Sequence, residues 1–225
     1  MEIKEIKNKV KKAIEELKTE FETHPKLFYT EGDIVCRLFD IAQKNLSYKK
    51  IKDSNGCSHY IIHREYSTPF RCSMENGFKI KLDDERTDGG HKYRRGRYDI
   101  VVLNPNFIQK YEYDIIKGQN YNSIKSYLNT ASQPAIVYGI EVMFNRDPLT
   151  SKGIDDFVAK VKKDYDKLQK SKTLNNVRFM ECILMLIFDN TSSEYQKRLN
   201  ETLKENLGLS TEWCFIPNKV QNCLF

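Results

Sequence analysis

The chain has 225 residues, of which 40% are hydrophobic, 12% aromatic and 30% charged. This length and balance are typical of one globular domain, and they exclude a disordered chain and a small scaffold held by disulfides. The 37 Lys and Arg residues outnumber the 31 Asp and Glu residues, and the net charge of +6 is a mild bias toward polyanionic partners.

The cysteines and the apolar runs bear on the environment of the chain. The 6 cysteines form no CxxC pair, and Cys36 and Cys182 lie in apolar periodic segments, so we predict reduced, buried thiols in a cytoplasmic protein. Residues 1–22 alternate charged and apolar side chains, which is not the pattern of a signal peptide. The longest apolar run, 182–188, is far shorter than the roughly 20 residues of a membrane span. We therefore expect no membrane partner.

Two amphipathic helices are predicted first. Apolar residues at steps of three and four mark a helix over residues 3–21, and Pro25 ends or redirects that segment. A second helix is predicted over 29–46. Thr30 is a suitable N-cap, and Glu31 stands in the first turn, where the helix dipole favours acids.

Strands and helices follow in the rest of the chain. Alternating or continuous apolar runs predict strands at 60–66, 78–82, 98–103, 135–144, 179–188 and 213–216. Helical spacing predicts helices at 106–130, 154–168 and 194–207. The polar stretch 83–96 is predicted to be a loop. The order α, α, β, β, β, α, β, α, β predicts an α/β fold with a mixed central sheet flanked by helices.

Two acids interrupt predicted buried strands. Asp99 opens the apolar run 100–103, and Glu141 stands inside the run 138–144. A carboxylate in a buried strand is costly unless it is paired or bound to a metal ion. Each acid alone could lie at a strand end or cap a backbone amide. Two acids on neighbouring strands favour a site for a hard divalent cation.

Such a pair suits phosphodiester hydrolysis. Carboxylates from two strands can hold Mg²⁺ ions that generate the attacking nucleophile and offset the negative charge of the transition state. A nearby lysine commonly orients the water and stabilises the phosphoryl oxygens.

The pattern of Asp99 followed by Glu141-Val142-Met143, in an α-β-β-β-α-β order over residues 28–190, resembles the PD-(D/E)XK nuclease superfamily. The resemblance implies a restriction-endonuclease-like fold with an αβββαβ core, a single domain 1–225 and an N-terminal helical extension, 1–26. It further implies a metal-dependent nuclease of restriction, repair or defence type that hydrolyses DNA with Mg²⁺ or Mn²⁺. Many such nucleases act as homodimers, so a homodimer is among the assemblies that it implies.

The resemblance also assigns roles to single residues. Asp99 and Glu141 would be catalytic metal ligands, and Glu31 and Glu65 would be supporting acids at the metal. The basic run containing Arg94, Arg95 and Arg97 precedes Asp99, which suits nucleic-acid phosphates, although a solvated loop explains the same charges.

The sequence departs from this family where the motif has its lysine, because position 143 is Met, which carries no charge and donates no hydrogen bond. The lysine could have moved to the following helix, as Lys160 or Lys163, and helical geometry favours Lys160. Arg146 is another stand-in. Met143 could also be an inactivating substitution, or the chain could be a catalytically inactive nuclease-fold module that binds nucleic acid or a protein partner. A phosphohydrolase of small substrates is a further alternative.

Overall fold

A computed structural model describes residues 2–73, 79–81, 94–117, 133–147, 150–174 and 177–219. It contains six α-helices in these ranges: α1 (Ile3–Thr23), α2 (Glu31–Asn45), α3 (Pro105–Lys110), α4 (Tyr113–Ile116), α5 (Ser151–Lys172) and α6 (Ser193–Leu207). The strands in the same ranges are β1 (Lys50–Lys52), β2 (Ser58–Tyr60), β3 (Ile62–Ser73), β4 (Lys79–Lys81), β5 (Arg94–Leu103), β6 (Ile136–Asn145), β7 (Thr173–Leu174), β8 (Val177–Arg178), β9 (Met180–Asp189) and β10 (Trp213–Pro217). The fold class is mixed α/β, as the sequence predicts.

The central sheet has six strands in the order β10-β9-β6-β5-β3-β4. The pairs β3/β4, β3/β5 and β5/β6 are antiparallel, whereas β6/β9 and β9/β10 are parallel. Parallel neighbours need a crossover connection. Helix α5 supplies it between β6 and β9, and α6 supplies it between β9 and β10.

The helices cover both faces of the sheet. On one face, Phe21 of α1 packs edge-on against Phe188 of β9 and Phe144 of β6, at centroid distances of 4.9 and 5.9 Å. On the other face, Gly139 of β6 lies under Leu168 of α5. Residues 139 and 144 differ by an odd number, so their opposite directions follow from strand geometry.

Helix α1 belongs to the same hydrophobic core as the sheet. Its buried stripe consists of Ile6, Val10, Ala13, Ile14, Leu17 and Phe21. The sheet also continues past residue 190, through β10. The core of the chain therefore extends at both ends beyond the range 28–190 that carries the family resemblance.

Several boundaries differ from the sequence predictions. The predicted helix 106–130 is interrupted after Lys110, a second short helix begins at Tyr113, and 118–132 lie outside the described residues. The predicted loop 83–96 ends earlier than expected. Strand β5 already begins at Arg94, since its polar N-terminal part pairs with β3, and strand pairing satisfies the backbone whatever the side chains are.

The start of α2 agrees with the predicted N-cap. The Thr30 hydroxyl accepts a hydrogen bond from the Asp33 amide at 3.2 Å, and the Asp33 carboxylate accepts one from the Thr30 amide at 2.9 Å. This reciprocal capping box fixes the first turn of α2, and with it the position of Glu31.

The cysteine prediction is only partly right. Cys36, Cys57, Cys182 and Cys214 are free thiols, but Cys36 is exposed and Cys182 is half-buried. The apolar periodicity around Cys36 places its neighbours, not its own side chain, in the core. Among the described helices, none has both the length and the apolar character that a membrane crossing requires.

Candidate functional site

Asp99 and Glu141 lie on the neighbouring antiparallel strands β5 and β6. Ile100 stands opposite Ile140 in this pair, so continuing the register by one residue places Asp99 opposite Glu141. Directly opposed side chains leave the same face of a sheet. The Asp99 carboxylate also accepts a hydrogen bond from the Val142 amide at 2.8 Å. The sheet therefore brings the two predicted acids together.

A buried lysine from α5, Lys167, lies beside the two acids. The Lys167 ammonium lies 2.8 Å from Glu141 Oε1 and 3.0 Å from Asp164 Oδ1, and it donates a hydrogen bond to the Arg97 carbonyl at 3.0 Å. The Lys167 and Glu141 side chains are only 11% and 5% exposed. An ammonium has three donors, and three acceptors surround this one.

Gly139 lies on the face of β6 that α5 covers. It precedes Glu141 by two residues and therefore points to the same face. A Cβ at position 139 would meet Met180 Sδ at 2.7 Å and Leu168 Cδ2 at 3.6 Å. The Leu168 distance is an ordinary van der Waals contact, so the side chain that fills the space over Gly139 is that of Met180.

Burial controls the protonation of the paired acids. Burial raises the pKa of Glu141 well above its ordinary value, an effect that the Lys167 ammonium opposes and the Asp99 charge reinforces. Burial likewise raises the pKa of Asp99, against the hydrogen bond from Val142. For Lys167, burial favours the neutral amine, but Glu141 and Asp164 outweigh it and raise its pKa. We take the lysine as protonated at neutral pH.

Glu31 approaches the same place from the N-terminus of α2. As a whole residue it is exposed, but its carboxyl group interacts with the Phe144 amide and with Asp99. Partial burial of that carboxyl, followed by the charge of Asp99, raises the pKa of Glu31 to about 7. Glu31 is thus the member of the site that is open to solvent.

These five residues form what we call the acid–lysine cluster: Glu31, Asp99, Glu141, Asp164 and Lys167. If all of them ionised, four carboxylates and one ammonium would sum to −3. Such an excess of negative charge in a mostly buried site is unfavourable without protons or a further cation. Burial is the main cause of the raised pKa values of Glu31, Asp99 and Glu141, and the neighbouring negative charges add to it.

The donor atoms of the cluster fit a hard divalent cation. All of its acidic ligands are carboxylate oxygens, and Glu141 Oε1 has no well-oriented hydrogen bond despite its ionic contact with Lys167. Across the described ranges, no three His, Cys, Asp or Glu side chains are preassembled as a metal site. Mg²⁺ commonly takes only one or two protein carboxylates and completes its shell with water and phosphate oxygens.

Lys167, and not Lys160, reaches Glu141. Lys160 is exposed, and it precedes Lys167 by seven residues, which is about 10 Å along the helix axis. Seven residues are close to two helical turns, so Lys160 and Lys167 lie on nearly the same face of α5. The sequence does carry a signal for Lys167, which is its spacing from the apolar stripe of the helix. Asp164 follows Val161 by three residues and Lys167 adjoins Leu168, and both apolar residues are buried.

Glu65 lies at the margin of the site. It is exposed, and its carboxylate pairs with Arg97 at 3.4 Å instead of contacting Lys167. Its charge still raises the pKa of Asp99. The four predicted metal ligands therefore differ in position. Asp99 and Glu141 converge, and Glu31 lies beside them. Glu65 forms an ion pair with Arg97.

The remaining predicted cations have different positions. Arg94 and Arg95 belong to β5, but their side chains lie outside the described part of the structure. Arg97 is exposed beside Glu65. Arg146 is exposed and pairs with Asp147 at 2.8 Å, so it does not replace the lysine of the motif.

Comparison of the chain with protein-family models, with curated proteins and with solved structures gives no match.

Proposed function

We propose that this chain is a nuclease that hydrolyses DNA phosphodiester bonds with Mg²⁺ or Mn²⁺, on a restriction-endonuclease-like fold. The observation that carries the proposal is the contact of Lys167 with Glu141 at 2.8 Å. Lys167 thereby places a buried cation beside Asp99 and Glu141, although Met143 occupies the position of the motif lysine. The order of the strands around Asp99 and Glu141 and the resemblance to the PD-(D/E)XK superfamily support the same proposal.

Each residue of the cluster has a role in this proposal. Asp99 and Glu141 would hold the metal ion through carboxylate oxygens. The bound ion would polarise the phosphoryl group and lower the pKa of a water molecule. Lys167 would donate hydrogen bonds to a phosphoryl oxygen, where negative charge develops. Glu31, with a pKa of about 7, can take up a proton near neutral pH at a position open to solvent.

A cleavage assay with three variants tests the proposal. Supercoiled, linear duplex, single-stranded and branched DNA are incubated with the protein in Mg²⁺ and in Mn²⁺. We expect Glu141→Gln to reduce cleavage at least about a hundredfold, since even partners of metal ligands contribute 10- to 100-fold. We expect Lys167→Met to remove cleavage as well. Adding Met143→Lys to Lys167→Met should restore part of it, because residue 143 points to the same face of β6 as Glu141.

The control is Lys160→Met, which removes an exposed lysine from the same helix and should leave the rate unchanged. The proposal fails if the purified protein cleaves no DNA form faster than its Glu141→Gln variant does, in either metal.

One observation favours a second function, that of a catalytically inactive module that binds nucleic acid or a protein partner. The Lys167 ammonium already has three acceptors, so it could serve as a permanent counter-ion that replaces a metal. Calorimetric titration with Mg²⁺ distinguishes the two functions. Mg²⁺ binding that is abolished by Asp99→Asn favours the nuclease. A protein that binds no Mg²⁺ but binds DNA with a salt-sensitive affinity favours the inactive module.

A further inference from the structure

A groove of about 370 Å³ lies beside the acid–lysine cluster. Its lining includes four ring side chains and two cations: His59, His63, Tyr66, Tyr113, Arg97 and Lys117. We call it the aromatic groove. Its volume lies within the range of small-ligand sites, about 300–1,000 Å³.

The groove adjoins the cluster through Arg97. The Arg97 carbonyl accepts a hydrogen bond from Lys167, while the Arg97 side chain lines the groove. Asp99 follows two residues later on β5. Two residues of an extended β-strand span about 7 Å. A DNA strand whose scissile phosphate lies at the acid–lysine cluster would therefore place a neighbouring nucleotide in the groove.

An exposed aromatic ring in this groove is held by a buried hydrogen-bond network. The fully buried Asp53 carboxylate accepts hydrogen bonds from the Asn55 and Cys57 amides, at 2.9 and 2.8 Å, and contacts His59 Nε2 at 2.8 Å. The His59 ring stacks on Tyr113 with centroids 5.7 Å apart and planes 25° apart. Tyr113 is nevertheless 50% exposed. A large, fixed and half-open ring is suited to stacking with another ring.

Cations stand next to the rings. The Lys117 ammonium lies 5.1 Å from the centroid of the Tyr113 ring, on a long exposed side chain that can turn toward a phosphate. Arg97 presents a second cation, at present paired with Glu65. His63 Nε2 donates a hydrogen bond to the Tyr60 carbonyl at 2.8 Å, and burial lowers the pKa of the His63 ring. Rings and separate cations together match the two parts of a nucleotide.

We propose that the aromatic groove binds one unstacked nucleotide of a DNA strand, with its base against Tyr113 and its phosphate at Lys117 and Arg97. The substrate of the proposed nuclease would then be single-stranded DNA, or DNA with a locally unpaired segment. A base paired inside a duplex cannot present its ring face to such a groove without being extruded. This inference rests on the proposed function, since it names the substrate class of the same site.

Binding measured in EDTA tests the groove independently of cleavage. Fluorescence anisotropy of a labelled 12-nucleotide single strand and of the corresponding duplex gives the two affinities. We expect the single strand to bind more tightly. Tyr113→Leu should weaken single-strand binding about 5- to 100-fold, the range for loss of one base–aromatic contact, while Tyr113→Phe should retain it.

The salt dependence of binding separates the ring from the cation. Lys117→Gln should reduce the slope of log affinity against log salt by about 0.7, the value for one phosphate contact on a single strand. Tyr113→Leu should leave that slope unchanged. Lys204→Gln, which removes an exposed lysine from α6, is the matched control and should change neither affinity nor slope. Lys117 lies at the surface, so its variant tests the groove even if Tyr113→Leu unfolds.

The groove proposal is overturned if the duplex binds as tightly as the single strand, if single-stranded RNA binds more tightly than DNA, or if Lys117→Gln behaves like Lys204→Gln. A protein that cleaves DNA but shows one of these results would keep its proposed function and lose only the groove. A protein that binds single strands through Tyr113 and Lys117 but never cleaves DNA would lose the proposed reaction and keep the groove.

Discussion

At the scale of single residues, Glu141 and Lys167 form an ion pair whose side chains are at most 11% exposed. Transfer of two charges from water is expensive, and the attraction between them only partly offsets it. Removing one partner is therefore worse than removing both. The cost of losing Lys167 is reduced in part, because the raised pKa of Glu141 favours its protonation when the ammonium is absent.

This pair gives a stability prediction. Lys167→Met should lower the free energy of unfolding by about 3 kcal/mol at pH 7, the lower end of the range for breaking a buried pair. Urea denaturation of the metal-free protein measures it. Lys160→Met should stay within about 0.5 kcal/mol of the wild type, as exposed substitutions usually do.

A double variant distinguishes a true pair from two independent residues. The double variant with Glu141→Gln and Lys167→Met should lose less unfolding free energy than the two single variants lose in sum, by about 1 kcal/mol or more. Strict additivity would contradict the ion pair that the structure contains.

At the scale of elements, the site depends on how closely α5 packs on β6. Gly139 leaves no side chain between the strand and the buried residues Met180 and Leu168. Interiors are densely packed, so an added methyl group must displace something. The group that must shift is the end of the Met180 side chain, because the 3.6 Å contact with Leu168 of α5 is an ordinary one.

Gly139→Ala should therefore lower the free energy of unfolding by about 1–3 kcal/mol, the usual effect of overpacking a core. Gly32→Ala is the matched control. A Cβ at Gly32 meets only Thr30 Oγ1, at 3.5 Å, and alanine in a helix is favoured over glycine by up to about 1 kcal/mol. Equal destabilisation by the two changes would show that the packing at Gly139 is not tight.

The elements themselves were largely predictable, whereas their ends were less so. Helix α5 was predicted over 154–168 from its apolar stripe, but it runs from Ser151 to Lys172. Lys167 stands next to the predicted end of this helix, and the extra turn places it inside the helix. Periodicity detects the buried side of a helix, and it is weakest at the ends, where polar residues and caps take over.

At the scale of the whole molecule, the acid–lysine cluster links stability to pH. Glu31 has a pKa of about 7 in the folded chain, against an ordinary value of 4.5, and burial also raises the pKa values of Asp99 and Glu141. A group whose pKa is higher in the folded state binds its proton more tightly there. It stabilises the fold most at low pH, and that contribution is lost as pH rises.

The metal-free protein should accordingly become less stable as pH rises from about 4.5 to about 7, the window of the Glu31 shift. Mg²⁺ should stabilise it more at pH 8 than at pH 5, because protons compete with the cation for the same carboxylates. Thermal denaturation across this range, with and without Mg²⁺, measures both effects.

Glu31→Gln should flatten the loss of stability between pH 4.5 and pH 7, since it removes the group that titrates there. Glu205→Gln, which changes an exposed acid on α6, should leave the profile as in the wild type. Parallel profiles for Glu31→Gln and the wild type would contradict the position of Glu31 in the cluster.

The sequence by itself determined the long helices, the strands of the mixed central sheet and the acid pair. Hydrophobic periodicity defines the elements, and an acid inside an apolar strand, as at Asp99 and Glu141, is conspicuous because its burial is costly. The N-cap Thr30 was equally visible, because capping is a local interaction.

Only the tertiary structure decided which cation stands beside Glu141 and which ring faces the neighbouring groove. Lys167 is one of many lysines on a charged helix, and it becomes distinct only when α5 packs against β6 and brings it to Glu141. Tyr113 likewise gains its fixed position from His59, 54 residues earlier in the chain. Contacts between residues far apart in sequence depend on how elements pack, and the local patterns of a single sequence do not encode that packing in a readable form.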